Sequence, residues 1–384
     1  MQQVITNLLQ STPLQITNHS KARFFCTHLT VLHQSLPMNT LTIRRPDDWH
    51  LHLRDGAVLK AVLPWTANLY GRAIVMPNLK PPITTVAAAK AYKQRILDEL
   101  PAGSTFQPLM ICYLTDTLSP DEIKLGKETG VFTAAKLYPA GATTNSDHGV
   151  TNIKNIYPVL EMMQRVDLPL LIHGEVVDPA VDIFDREAVF LERVLTPVLR
   201  DFPELRVVSE HITTSDAAAF IAAQSDRVGA TITTHHLMIN RNAIFKGGIN
   251  PHMYCLPIAK REEHRLALRK AATSGDSHFF LGTDSAPHLT PLKENSCGCA
   301  GVFNSPNTLE CLAQVFEEEN ALDKLEGFTS LNGPRFYGLP VNEDAITLEH
   351  GAPTIPTEID VPELNETIQV FESPVALNWR IKPS

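Results

Sequence analysis

The chain has 384 residues and a formal charge of −9, from 33 basic and 42 acidic side chains. With 43% hydrophobic and 20% charged residues, its composition is that of a globular protein, which excludes disorder over most of its length. The acidic balance offers no nucleic-acid or anionic-membrane surface, no apolar run is long enough to span a bilayer, and six cysteines over this length do not make a disulfide scaffold.

Residues 1–37 carry only Lys21 and Arg23 as charges and are rich in Ser, Thr, Gln and Asn. Three readings of this N-terminal extension stay open. It is acid-poor and Ser-rich like an organellar transit peptide, although neither Arg-rich nor strongly amphipathic. Alternatively the start is placed early, because Met38 opens a stretch that looks like a natural N-terminus. The third reading is a folded extension. The segment lacks a charged start followed by a compact apolar run and a small-residue cleavage site, so a secretory signal is not expected; the expected location is cytoplasmic, with organellar targeting as the alternative.

From residue 41 onward, short apolar runs alternate with helical patterns. The runs are Leu41–Arg45, Arg72–Met76, Pro108–Leu114, Phe132–Tyr138, Pro169–His173, Arg206–His211, Ala230–Thr234 and Phe279–Asp284. Helical spacing falls on Val86–Leu100, Asp121–Thr129, Asn152–Val166, Arg186–Leu199, Ser215–Ala223 and Arg261–Ala272. Before the second of these, Ser119 is a cap, Pro120 suits the first turn and Glu122 completes a capping box. Near-continuous apolar strands alternating with helices predict a parallel sheet covered by helices. The α/β architecture that fits eight such units is a (β/α)8 TIM barrel over residues 38–340, with a doubly wound open sheet as the alternative. Residues 341–384 read as a C-terminal extension packed on the barrel, with one strand near Val375–Ile381.

The strand ends favour the barrel. In chain order they carry His50 and His52, Asn78, Thr115-Asp116, Lys136, His173, His211, His235-His236 and Asp284. A barrel gathers all its strand ends at one mouth, and an open sheet does not. His50 and His52 share one face of an extended segment, so both imidazoles can reach one ion. Taken alone, each histidine could equally be a core or surface residue, and Lys136 could be a strand-end lysine reaching solvent. In a barrel mouth, however, burial leaves an amine neutral and able to add carbon dioxide as a carbamate. Asp284, at the end of the last strand, needs a metal or cation partner to be buried.

These residues and their flanks resemble the metal-dependent amidohydrolase superfamily, and within it the free-standing dihydroorotases of bacteria and plants. The matching stretches are RPDDWHLHLRDG (45–56), RAIVMPNLKPP (72–82), AAKLYPAGATTNS (134–146), LLIHGEV (170–176), EHITT (210–214), HMYCLPIAKR (252–261), GTDSAPH (282–288) and SCGCAG (296–301). The resemblance covers residues 40–340, excludes 1–37 and weakens after 341. It implies a centre of two Zn2+ ions per subunit. His50, His52 and Asp284 would bind one ion, His173 and His211 the other, and carboxylated Lys136 with a hydroxide would bridge both. It also implies a carboxylate clamp of Arg54, Asn78 and His288. His173, Leu256 and Ala300 would be further substrate contacts, and Thr143 and Thr144 would form a mobile loop over the substrate.

The implied reaction is reversible cyclisation of N-carbamoyl-L-aspartate to dihydroorotate in pyrimidine biosynthesis. The bridging hydroxide attacks the ring amide, and Asp284 shuttles the proton as base and then acid. The implied assembly is a homodimer acting on a small molecule. One segment departs from the family pattern: Thr233-Thr234-His235-His236-Leu237 has Thr and His where members commonly show Pro-Gln, so His235 could add a stray metal contact. Cys297 and Cys299 are read as packing. Three alternatives stay open: a related hydrolase of hydantoins or allantoin, a catalytically dead scaffolding subunit, and a non-catalytic metal-binding protein. The clamp argues against the first and third, and the complete ligand set argues against the second.

Overall fold

The computed structural model describes residues 39–383, so the readings of residues 1–37 lie outside the described residues. Thirteen strands are β1 (Thr40–Arg44), β2 (Asp48–Leu51), β3 (Arg72–Val75), β4 (Gln107–Tyr113), β5 (Ala134–Leu137), β6 (Leu170–His173), β7 (Val207–Glu210), β8 (Val228–Ile232), β9 (Phe279–Leu281), β10 (Ala345–His350), β11 (Glu358–Val361), β12 (Glu366–Gln369) and β13 (Trp379–Ile381). Strands β2 to β9 pair in sequence order, all parallel, as an eight-stranded sheet with helices between them. The ring closes just above the strands, where Asp284 N donates to His50 O at 2.8 Å and His52 N donates to Ser285 O at 3.0 Å. This is the (β/α)8 barrel that the strand rhythm predicts.

The expected first barrel strand, Leu41–Arg45, is not one. β1 pairs antiparallel with β10, and β10 with β13, in a separate three-stranded sheet. The reason is in its pattern: Thr-Leu-Thr-Ile-Arg alternates polar and apolar, and only Ile43 is fully buried, as suits a one-sided sheet. The true first barrel strand follows Pro46 and is the polar-looking Asp48-Trp49-His50-Leu51, fully buried. Residues 345–381 also hold more than the single expected strand. The β11–β12 hairpin packs there as well, with Phe371 N donating to Phe303 O at 2.7 Å.

The helix expected at Asp121–Thr129 spans Pro120–Glu128, with Ser119 Oγ accepting from Asp121 N at 3.2 Å. Glu122 does not complete a capping box there. Its Oε1 instead accepts from Val86 N at 2.5 Å, at the first turn of the helix Val86–Asp98. One carboxylate thus satisfies an orphan donor of the neighbouring helix. The helix Gly56–Leu69 has a side-chain cap from Asp55 and contains Pro64, which hides it from a periodicity reading.

The strand period of two sets the barrel interior. Ala134, Leu171, Val208 and Phe280 join Trp49, Ile74 and Ile111 in the inner cluster. Their neighbours Ala135, Leu137, Leu170, Ile172, Val207 and Leu281 belong to the outer core beneath the helices. Two residues further along, the same inward parity gives Lys136, His173 and Glu210. The apolar plug therefore ends, and a charged layer begins, one step up the barrel.

Candidate active site

Lys136, His173 and Glu210 are buried within β5, β6 and β7. One Glu210 oxygen takes the Lys136 ammonium, and the other lies 3.0 Å from His50 Nδ1, without hydrogen-bond geometry. Asp284 Oδ1 lies 3.2 Å from His50 Nε2 and 3.0 Å from His52 Nε2. One donor atom from each of His50, His211 and Asp284 falls within 4.8 Å of the others. The His173 and His211 rings are 4.9 Å apart, and His173 Nε2 pairs with Glu175 Oε2 at 2.7 Å.

Backbone conformation aims three of these groups. Arg54, His211 and Asp284 have φ of 59°, 43° and 44°, the left-handed region that costs a non-glycine residue about 1–3 kcal/mol. His211 follows Glu210 directly, and the turn lets both side chains face His50. Gly282 is required by close approach, because a Cβ there would lie 2.6 Å from Thr231 Cβ and 3.0 Å from His50 Cβ.

Electrostatics hold His52 and His211 neutral, whereas at His50 burial is outweighed by the carboxylates of Glu210 and Asp284, which shift it upward. Burial, with Arg54 beside it, lowers His52 to about 4. Burial together with Lys136 and His173 holds His211 well below the usual histidine range. For Asp284, burial opposes charge, but His50 and His52 outweigh it and hold the carboxyl well below its ordinary value. The Lys136 amine is pushed down by burial, against the pull of Glu210.

A narrow cavity is lined by His50, His52, Arg54, Asn78, Tyr138, Thr143, Thr144, His173, His211, Leu256, Asp284, Ala286, Ala300 and Gly301. Arg54 Nε donates to Pro287 O at 3.1 Å, and Arg54 Nη2 lies 3.0 Å from His288 Nε2. His288 Nε2 lies 2.9 Å from Ala300 O, which brings His288 to the cavity wall. Asn78 Nδ2 donates to Thr144 O at 3.0 Å, and Asn145 Nδ2 donates back to Asn78 O at 3.0 Å, so the Thr143–Thr144 segment is latched across the mouth.

Of the thirteen residues singled out from sequence, eleven line this cavity, His288 contacts its wall at Ala300, and Lys136 packs against the lining Tyr138 ring. Sequence reading missed Glu210, Glu175 and Tyr138. Period-two counting from Val208 would have found Glu210. His235 does not reach the cavity wall. It is buried, with Nδ1 3.1 Å from Asn304 Nδ2.

The sequence and the fold have known counterparts. The profile of the amidohydrolase family matches residues 47–347. The chain is 62% identical over 345 residues to a dihydroorotase of Chelativorans sp., covering 90% of this chain and all of that one. It is 60% identical over 343 residues to a dihydroorotase of Yersinia enterocolitica, covering 89% and 98%. Among solved structures, a Saccharomyces cerevisiae dihydroorotase in complex with 5-fluoroorotic acid superposes with a TM-score of 0.82 at 33% identity, over 90% of this chain and 99% of that one. An L-hydantoinase from Arthrobacter aurescens, at 15% identity and a TM-score of 0.68, shares the fold. The chain belongs to the dihydroorotases of the amidohydrolase family.

Proposed function

We propose that this enzyme interconverts N-carbamoyl-L-aspartate and dihydroorotate at a centre holding two zinc ions. The observation that carries the reading is one cavity that joins a cluster of buried histidines and Asp284 to the Arg54 guanidinium. The donor set suits such ions. His211 Nδ1 is buried without a hydrogen-bond partner among the described residues, and His52 and His211 are held neutral with lone pairs to give. Glu210 and Glu175 sit behind His50 and His173 as carboxylates that orient metal-bound imidazoles do.

In this reading His50, His52 and Asp284 would hold one ion, His173 and His211 would hold the other, and Lys136, once carboxylated, would contribute to both. When bound, such a pair lowers the pKa of a water toward neutrality and polarises a carbonyl. The chain's own groups do the rest. Arg54, with Asn78 and His288, takes the substrate carboxylate through charge-assisted hydrogen bonds. Asp284, ionised and facing His50 and His52, accepts the proton of the attacking water and passes it to the departing ring nitrogen. In the biosynthetic direction the same carboxyl takes the proton from the carbamoyl nitrogen. Leu256 and Ala300 shape the wall beside the ring. The Thr143–Thr144 segment keeps bulk water out while latched to Asn78.

A homodimer and a cytoplasmic workplace are proposed on the family resemblance. No helix of the described residues is long and apolar enough to cross a membrane. The test is hydrolysis of dihydroorotate beside a neutral hydantoin, with metal quantified per chain before and after chelation. Two metals per chain, loss of turnover on their removal and preference for the anionic ring are the expected result. Turnover unaffected by chelation, or equal use of the hydantoin, would overturn the reading.

A further inference from the structure

Past the end of β8, the short helix Thr234–Met238 places His235 and His236 against Cys255. All three are buried, and none lines the cavity described above. One nitrogen of each ring and Cys255 Sγ lie within 4.8 Å of one another. Cys255 Sγ is 3.4 Å from His236 Nε2 and 3.4 Å from Pro257 O, and His236 Nε2 is 3.0 Å from Pro257 O. A tetrahedron around zinc with bonds of about 2.0–2.3 Å has edges of about 3.3–3.6 Å. The two sulfur edges fall in this range, the nitrogen–oxygen edge is shorter, and His235 brings a fourth donor within 4.8 Å of Cys255 Sγ and His236.

We propose that His235, His236, Cys255 and the Pro257 carbonyl form a second metal site, distinct from the catalytic centre and selective for thiophilic ions of the zinc–cadmium class. Protonation can follow. His236 Nδ1 is 2.9 Å from Thr233 Oγ1, which can accept that ring N–H and leave the Nε2 lone pair for the ion. The Cys255 thiol releases its proton to solvent as the metal–sulfur bond forms. His235 Nε2 is buried with no partner among the described residues, an exception to the rule that buried polar atoms are paired. A thiolate and two imidazoles are the soft donor set that selects zinc or cadmium over magnesium or calcium. The ion would also have a structural effect, because Leu256, between Cys255 and Pro257, lines the active cavity.

The experiment titrates the metal-replete enzyme with Cd2+ under reducing conditions and follows sulfur-to-cadmium charge-transfer absorbance. The catalytic centre proposed above has no sulfur donor, so its own exchange is silent in this readout. One tight equivalent should give the band, and X-ray absorption should place one sulfur among nitrogen and oxygen neighbours. Cys255→Ser should remove the tight phase, whatever the exposed Cys297 contributes. His235→Gln keeps the thiol and should weaken binding at least about 10-fold. The proposal is overturned by a cadmium shell without sulfur in the parent protein, by the same tight phase in Cys255→Ser, or by unchanged affinity in His235→Gln.

Discussion

Glu210 closes an ion pair with Lys136 inside the barrel, although their strands are not neighbours and β6 lies between them. The same carboxylate faces His50 Nδ1 at 3.0 Å, so one side chain contacts both Lys136 and a histidine proposed as a metal donor. Glu210→Gln should therefore leave the fold intact and weaken metal binding by roughly 10–100-fold, as loss of an orienting partner does. Metal retained after dialysis against a graded chelator series measures this. Parental affinity would make Glu210 a scaffold residue only.

Lys136→Ala removes the group proposed to join the two ions. The variant should lose metal and turnover together, and short carboxylic acids should restore part of both by filling the vacated space. Elemental analysis of the purified variant decides the matter, since unchanged metal content would count against a carbamate.

Asp284→Asn keeps the shape of the side chain but not its proton chemistry. Turnover should fall by roughly 10²–10⁴-fold, the usual worth of a positioned acid or base. Near-parental activity in a steady-state assay would sink the shuttle role.

Arg54→Met should act on substrate binding. A hydrogen bond to a charged group contributes about 1.5–3 kcal/mol, so KM for N-carbamoyl-L-aspartate should rise roughly 10–150-fold. A fall in kcat with KM unchanged would place Arg54 outside the clamp.

Glu310 gives a prediction about stability. It lies in the first turn of the helix Thr308–Glu318, and burial raises its carboxyl to about 7. A carboxyl whose pKa is higher folded than unfolded keeps more protons in the native state. Its contribution is therefore full below the unfolded value near 4.5 and is lost as pH rises through about 7. Glu310→Gln removes this loss. Its stability relative to the parent should grow from pH 5 to pH 8 in urea titrations, and a constant difference would refute the assignment.

Legibility in the sequence followed burial pattern. β4 and β6 are continuous apolar runs and were readable to within a residue or two. β2 was not, because its four buried residues include Asp48 and His50. Asp48 is tolerated only because it accepts from Thr283 N at 2.9 Å, Thr283 Oγ1 at 2.5 Å and His50 N at 3.1 Å. Those partners lie up to 235 residues away, where no local pattern reaches. The metal-donor candidates were legible because they stand at strand ends. Glu210 was hidden by the more conspicuous histidine beside it. Glu122 illustrates the same limit, since its real partner is another helix.

The pairing of β1 with β10 also bears on how the chain is made. Thr42 and Thr347 face each other across a separation of 305 residues, with their hydroxyls 2.9 Å apart. A ribosome adding about 5–20 residues per second leaves β1 without its partner for roughly 15–60 s. Throughout that interval the nascent barrel carries an open strand edge, the kind of surface that pairs with other chains. Residues 345–350 thus act as a clasp that covers one edge of a strand left exposed since it was made.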